Sequence, residues 1–363
     1  CFPCTVTTGD MFDKIRLLRD KGVNVEKEVA FFMPEADGPC RFGQYSRLHR
    51  ILLDQYGYAD IPILSPTCED AYRFSGLLTN EEATQFRKRA WHGIVYADLI
   101  EKALWHVRPY EVTKGETEKL FNTWMQKGAD ALEKGGIDGL LAIAPKAAAA
   151  FEAVERKGDP RPVIGIVGEI YVRSHKASNQ NLVQELENMG METMTASIAE
   201  WVEYTTWSSI QDAHKNFRWT KPSTWKELFS LYVTDWWQRR TYAKLLRPFA
   251  TLLAGREDHP VVDLMDEADG LLTPELNGEA ILSLGGALAY VDHNGFDGVV
   301  NAMPFTCMPS TIASAILKGQ MRERAPYIDM VYDGTVIPNR ETNLSTFAHQ
   351  VQQRYDQKVR RKG

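Results

Sequence analysis

The sequence predicts an α/β protein with parallel strands in two stretches joined by a helical segment. Three observations predict it. Short apolar runs at 29–33, 61–64 and 163–167 are strand-sized. Amphipathic stretches of helical period stand between them. A loop bearing Pro or Gly follows each strand, so strand, loop and helix alternate as in βαβ units.

In chain order, residues 10–21 predict a helix on the spacing of Phe12, Ile15 and Leu18, stopped by Gly22. A strand follows at 29–33, ended by Pro34. Residues 42–55 predict a helix with Leu48, Ile51 and Leu52 on one face, stopped by Gly57, and 61–64 a second strand. Residues 80–107 carry the helical period through Phe86, Ile94, Ala97, Ile100 and Leu104, with Pro109 beyond the end. Two more helical segments occupy 113–133 and 137–155. Residues 157–162, Lys-Gly-Asp-Pro-Arg-Pro, read as a linker. A second α/β stretch then gives strands at 163–167, 192–196, 298–301 and 327–332, with helices at 182–189, 225–253, 279–292, 310–319 and 344–359. The expected division is an N-terminal α/β lobe at 1–79, a helical connection at 80–159 and a C-terminal α/β lobe at 160–363. Gly285-Gly286 inside a helical pattern predicts close packing.

The chain has 363 residues, 44% of them hydrophobic and 25% charged, the usage of a globular protein with room for a large core. Its formal charge of −6 gives no electrostatic reason to bind nucleic acid. No apolar run approaches the about 20 residues of a membrane span. The expected setting is cytoplasmic. Cys1-Phe2-Pro3-Cys4 is an abrupt opening without a charged-then-apolar leader, and the expectation is a piece of a longer protein. The eight histidines make no H-x-x-x-H or H-E-x-x-H pair, so a zinc hydrolase has no support.

Five cysteines, Cys1, Cys4, Cys40, Cys68 and Cys307, are too few and too scattered for a disulfide scaffold. Cys40 and Cys307 each lie between a predicted strand and a predicted helix. Cys4 precedes the predicted helix entry at Thr7-Thr8-Gly9-Asp10, and Cys68 follows a strand. Loops at the carboxyl ends of parallel strands are where open α/β sheets bind ligands. A helix N-terminus offers free N–H groups and partial positive charge. An iron–sulfur cluster with thiolate ligands is an anion suited to such a place. Buried structural thiols, a zinc site and dithiol redox chemistry at the Cys1/Cys4 pair remain open readings, since a lone C-x-x-C is a weak signal.

Other residues have two readings each. Glu169, after the strand at 163–167, reads as a ligand-facing acid or a cap. Arg41, Gln44, Tyr45 and Arg47 crowd one helix start, as cluster or phosphate partners or as ordinary salt-bridge formers. Glu200, Trp201, Glu203 and Tyr204 read as a packed helix face. The tryptophans between Trp201 and Trp237 read as core or subunit interface.

Three runs carry a resemblance: Phe2-Pro3-Cys4-Thr5-Val6-Thr7-Thr8-Gly9-Asp10, the stretch from Phe32-Met33-Pro34-Glu35 through Cys40-Arg41-Phe42-Gly43-Gln44-Tyr45, and Pro304-Phe305-Thr306-Cys307-Met308-Pro309. Together they resemble the 2-hydroxyacyl-CoA dehydratase/benzoyl-CoA reductase superfamily, and most closely the C-terminal region of the long CoA-substrate-specific enzyme activases. The resemblance implies two Rossmann/flavodoxin-like lobes and a [4Fe–4S] cluster between them, held by two cysteines of the first lobe and one of the last. Carried over residue by residue, the metal ligands are Cys4, Cys40 and Cys307, with Cys1 as a fourth or exchange ligand. Arg41, Gln44 and Glu169 are the cofactor-binding candidates. Cys68 has no counterpart in the pattern. The five cysteines speak against the double-cubane form of a sister branch. The implied function is an oxygen-sensitive electron-transfer or reductase module of an ATP-dependent dehydratase system. Its partners would be an ATP-binding activator domain and a dehydratase or CoA-thioester substrate, with a homodimer possible. No G-x-x-x-x-G-K-[ST] loop is present, so ATP would be bound elsewhere. The competing reading is a non-catalytic docking module.

Overall fold

A computed structural model describes residues 1–36, 40–67, 78–276 and 278–362. The first region holds helices α1 (Phe2–Asp20), α2 (Val25–Glu28) and α3 (Tyr45–Gln55), with strands β1 (Phe31–Phe32) and β2 (Ile63–Leu64). The strands pair in parallel, Phe31 opposite Ile63 and Phe32 opposite Leu64, and a bridge from Glu35 to Thr67 prolongs the ladder. Met11 and Ile15 of α1, Val25, Leu53 and Ile61 form a small core of their own.

The connection is the long helix α4 (Asn80–Val107) and the helical segment α5 (Glu116–Glu152). Thr79 opens α4 with a reciprocal cap: its hydroxyl accepts from the Glu82 amide and the Glu82 carboxylate accepts from the Thr79 amide. As the two helices predicted at 113–133 and 137–155 require, α5 is broken at Gly136, whose φ of 57° is left-handed. The chain turns back there, bringing Gly139 against Ala131 and the Glu155 carbonyl to the Val112 amide. Trp91, Val95, Leu99 and Ala103 of α4 pack on Leu140, Ala144, Ala147 and Phe151 of α5.

The last region contains β3 (Val163–Gly168), α6 (Ile170–Ser174), α7 (Leu182–Asn188), β4 (Glu192–Thr195), α8 (Ile198–Lys215), α9 (Pro222–Leu246), α10 (Val261–Glu267), α11 (Ala280–Asp292), β5 (Gly298–Pro304), α12 (Met308–Gln320), β6 (Tyr327–Tyr332) and α13 (Arg340–Lys362). Its sheet is fully parallel in the order β4-β3-β5-β6. Side chains alternate between its faces, as the pleat requires. Val167, Met194 and Val299 join α10, α11 and α12 in one core. Ile164, Ile166, Val300 and Ala302 join α6, α7 and α13 in another.

A polar stripe binds α4 to this region. Asp98 accepts from the amides of Ile198 and Ala199 at the start of α8, at 3.3 and 2.8 Å. Lys102, 2% exposed, meets Asp258 at 2.5 Å. Four residues on, His106 Nδ1 lies 3.0 Å from Glu192 of β4, which also accepts from Arg256 and Tyr110.

The fold class agrees with the sequence expectation at the level of α/β with parallel strands. Several boundaries differ. Among the described residues the N-terminal ladder has two residues per strand. The predicted helix at 10–21 begins instead at Phe2, because Pro3 sits in the first turn, where its missing N–H costs nothing. The predicted helix at 225–253 ends at Leu246, followed by a short 3₁₀ turn at Arg247–Phe249 with Pro248 at its start.

Gly168, where β3 ends, is a point the fold cannot move. Its φ is +117°, and a Cβ there would fall 2.1 Å from the Ala302 carbonyl oxygen of the neighbouring strand. Gly168→Ala is expected to destabilise the protein by about 3 kcal/mol or more, combining backbone strain and overpacking. The check is a urea midpoint, which falls with the slope unchanged.

Candidate functional site

The order β4-β3-β5-β6 reverses direction between β3 and β5, since the chain steps outward to β4 and then returns past β3 to β5. Such a switch point opens a crevice at the carboxyl ends of the two strands. Glu169 follows β3 there, and Phe305, Thr306 and Cys307 follow β5. The first region faces this edge. Arg41 donates to the Thr306 hydroxyl at 3.3 Å across the seam. The Tyr171 hydroxyl donates to Asp10 at 3.5 Å, and the Phe2 ring lies against Gly334.

Tyr45, 6% exposed at the start of α3, stands at the centre. Its hydroxyl lies 2.7 Å from the Cys1 sulfur. Burial pushes that hydroxyl far above the ordinary tyrosine range, and the charges of Glu169, Cys40, Cys4 and Cys307 push the same way. These residues come from four stretches of the chain, 1–4, 40–45, 169 and 307, and the Cys1 sulfur is the one in contact with the hydroxyl among the described residues.

Two cysteines hold the same kind of position. Cys40 is the N-cap of the 3₁₀ turn Arg41–Gln44 that runs into α3, and Cys307 the N-cap of α12. Cys1 directly precedes α1. The Phe42 amide donates to the Cys40 sulfur at 3.5 Å. Cys4 departs from its expected place. It lies inside the first turn of α1, buried, rather than in a loop before the helix, because the helix starts earlier than its sequence period suggests. Cys68 lies outside the described residues. Gln44 is exposed at the entry to α3, and Arg47 is exposed one turn further.

Burial holds the thiols of Cys4, Cys40 and Cys307 above the ordinary thiol range. Burial raises the Cys4 thiol, against the chain-start ammonium and Thr8. Burial raises Cys40 and Cys307 as well, and the carboxylates of Glu169 and Glu279 add to it, while Ser310 opposes the effect at Cys307. Among the described residues no group of three or more His, Cys, Asp or Glu side chains stands ready to hold a metal ion.

Glu169 performs the capping role that was one of its two readings. Its carboxylate accepts from the Val172 amide at 2.8 Å, at the N-terminus of α6. Glu279 reaches the Ile170 amide of the same turn. Burial raises both acids, and for Glu279 the neighbouring Glu169 adds to it. Sequence reading singles out neither Glu279 nor Thr306. An acid before a helix reads as an ordinary start, and no local signal places Glu279 beside a residue over a hundred positions upstream.

Beneath this pair lies a second buried polar group. The Arg173 guanidinium donates to the carbonyls of Gly168 and Ser197 at 2.9 and 3.0 Å, and stands 4.0 Å from Glu200 Oε1. Glu200 is 6% exposed, and that oxygen has no hydrogen-bond partner. Burial raises its pKa to about 7, against the pull of Arg173.

Comparison with family models, with curated proteins and with solved structures finds no match to the chain. Among the described residues, no helix is long and apolar enough to cross a membrane.

The Glu200 environment has a pH signature. An unfolded glutamate titrates near about 4.3, so between there and pH 7 the folded state binds the extra proton. Stability then falls as pH rises through that window and levels off above it. Glu200→Gln removes the slope, so the variant gains on the parent by on the order of 3 kcal/mol between pH 4.5 and 8. Urea midpoints at four pH values check this. A variant-to-parent difference that is constant with pH would mean Glu200 stays ionised against Arg173.

Proposed function

We propose that this chain is an iron–sulfur electron-transfer module, built as two flavodoxin-like lobes that face each other across the Tyr45 seam. The observation that carries the reading is that Cys40 and Cys307 open helical turns on the two sides of the seam bridged by Arg41 and Thr306, with the Cys1 sulfur on the Tyr45 hydroxyl nearby. Soft sulfur donors on separate segments fit the ligand chemistry of a [4Fe–4S] cluster, and helix-start N–H groups suit its negative charge. Cys40, Cys307 and one of Cys1 and Cys4 would hold it, with the thiols turning from their present partners. When bound, the cluster supplies a single electron at low potential.

The chain's own residues account for the rest. Arg41 and Thr306 tie the two sides of the seam together, Tyr45 fills its floor, and the Glu169/Glu279 pair disfavours further negative charge. The electron source in this reading is an ATP-driven activator. The acceptor is a CoA thioester or a dehydratase partner, in the 2-hydroxyacyl-CoA dehydratase manner and in an anaerobic cytoplasm. The competing reading is a non-catalytic docking module.

Anaerobic reconstitution with iron and sulfide separates the two. The expected product is brown and EPR-active on reduction, with about four irons per chain. Cys40→Ala and Cys307→Ala should each abolish iron retention. Of Cys1→Ala and Cys4→Ala, the one that empties the site identifies the remaining ligand. A colourless parent protein with no bound iron overturns the cluster.

A further inference from the structure

Helix α9 runs back along the end of α8, where the Tyr232 hydroxyl meets His214 at 2.8 Å and the Trp225 ring meets Phe217 at 4.8 Å. From Pro222 to Trp237 none of its residues is buried; the first buried one is Gln238. Its outer face is apolar: Trp225 is 45% exposed, Phe229 71%, Tyr232 47% and Trp236 58%. These positions step by four, three and four residues, the spacing of a seam that packs against another helix. Trp219, 77% exposed, stacks edge-on against Trp225 with ring centroids 4.8 Å apart and extends the patch. With Val233 these side chains expose roughly 700 Å², taking about 150–250 Å² for each aromatic. That exceeds the few hundred Å² usual on a monomer and approaches the about 800 Å² per partner of a stable interface.

The stripe is also its own complement. Reversed about the Ser230–Leu231 bond, Trp225 falls opposite Trp236 and Phe229 opposite Tyr232. A two-fold axis through that point matches every apolar residue of the seam to an apolar residue. We propose that α9 pairs antiparallel with α9 of a second copy of this chain, making a homodimer through this helix. The cluster reading is not needed for it.

Phe229, the most exposed residue of the stripe, supplies the test. The parent should dimerise, and Phe229→Glu should give a monomer with an unchanged circular dichroism spectrum. Sedimentation of the full chain between 1 and 100 μM reads both. A parent that is monomeric throughout overturns the proposal, as does a dimer that Phe229→Glu leaves intact. Flotation with phosphatidylserine vesicles by a monomeric parent, lost in Phe229→Glu, would assign the patch to a membrane surface instead.

Discussion

The buried polar stripe on α4 is the constraint on which the other parts depend. Asp98, Lys102 and His106 recur every four residues, so they line one face of the helix. The same helix turns Trp91, Val95, Leu99 and Ala103 into the α5 core. One element therefore serves two regions by two kinds of interaction. The apolar face tolerates sliding, because hydrophobic burial is non-directional. The polar face does not, because each group loses water and regains free energy only with its own partner in place. Asp98 meets α8, Lys102 meets the loop carrying Asp258, and His106 meets the middle of the Glu192 network. Removing one partner would strand a buried charge at a cost of about 3–5 kcal/mol. The stripe thereby fixes the angle of the helical pair against the sheet.

That fixed sheet is what gives the seam its geometry. Glu169 and Cys307 follow adjacent strands paired from Ile164 opposite Gly298 to Gly168 opposite Ala302. Gly168 brings the backbone of β3 so near Ala302 that the loop after it has a single course. The first region contributes its cysteines from a much smaller core, through α1 and the turn before α3. Its contacts across the seam include the Phe2 ring on Gly334 and the Arg41 bond to Thr306.

Much of this was legible in the sequence, and the parts that were not have identifiable causes. The bounds of α4 follow from its period and from the Thr79/Glu82 cap, and the strands at Val163 and Tyr327 from apolar runs bounded by turn residues. The early start of α1 escaped the period because Val6, Thr7, Thr8 and Gly9 are weak helix formers. They are carried by tertiary contact, including the Thr7 hydroxyl on the buried His49 at 3.3 Å. The site was half legible. Strand–cysteine–helix order located Cys40 and Cys307. Tyr45 appeared only as one of four crowded residues, since nothing local marks which of them turns inward. Glu279 left no trace, as its neighbour Glu169 is brought to it by the sheet.

The cysteine caps sit where the seam is tied. Thr79 before α4 and Ser197 before α8 cap through an acceptor oxygen, while α5, α9, α10 and α11 begin without a side-chain cap bond. Imperfect caps are therefore ordinary in this chain, because tertiary packing rather than capping carries most of a helix's stability. A thiol is a weak acceptor, and the Cys40 sulfur takes the Phe42 amide at the long distance of 3.5 Å. What sets Cys40 and Cys307 apart is their place. They open helical turns on segments far apart in sequence, and the residues beside them, Arg41 and Thr306, meet across the seam. The bond that ties the two regions therefore also brings these two caps to the same seam.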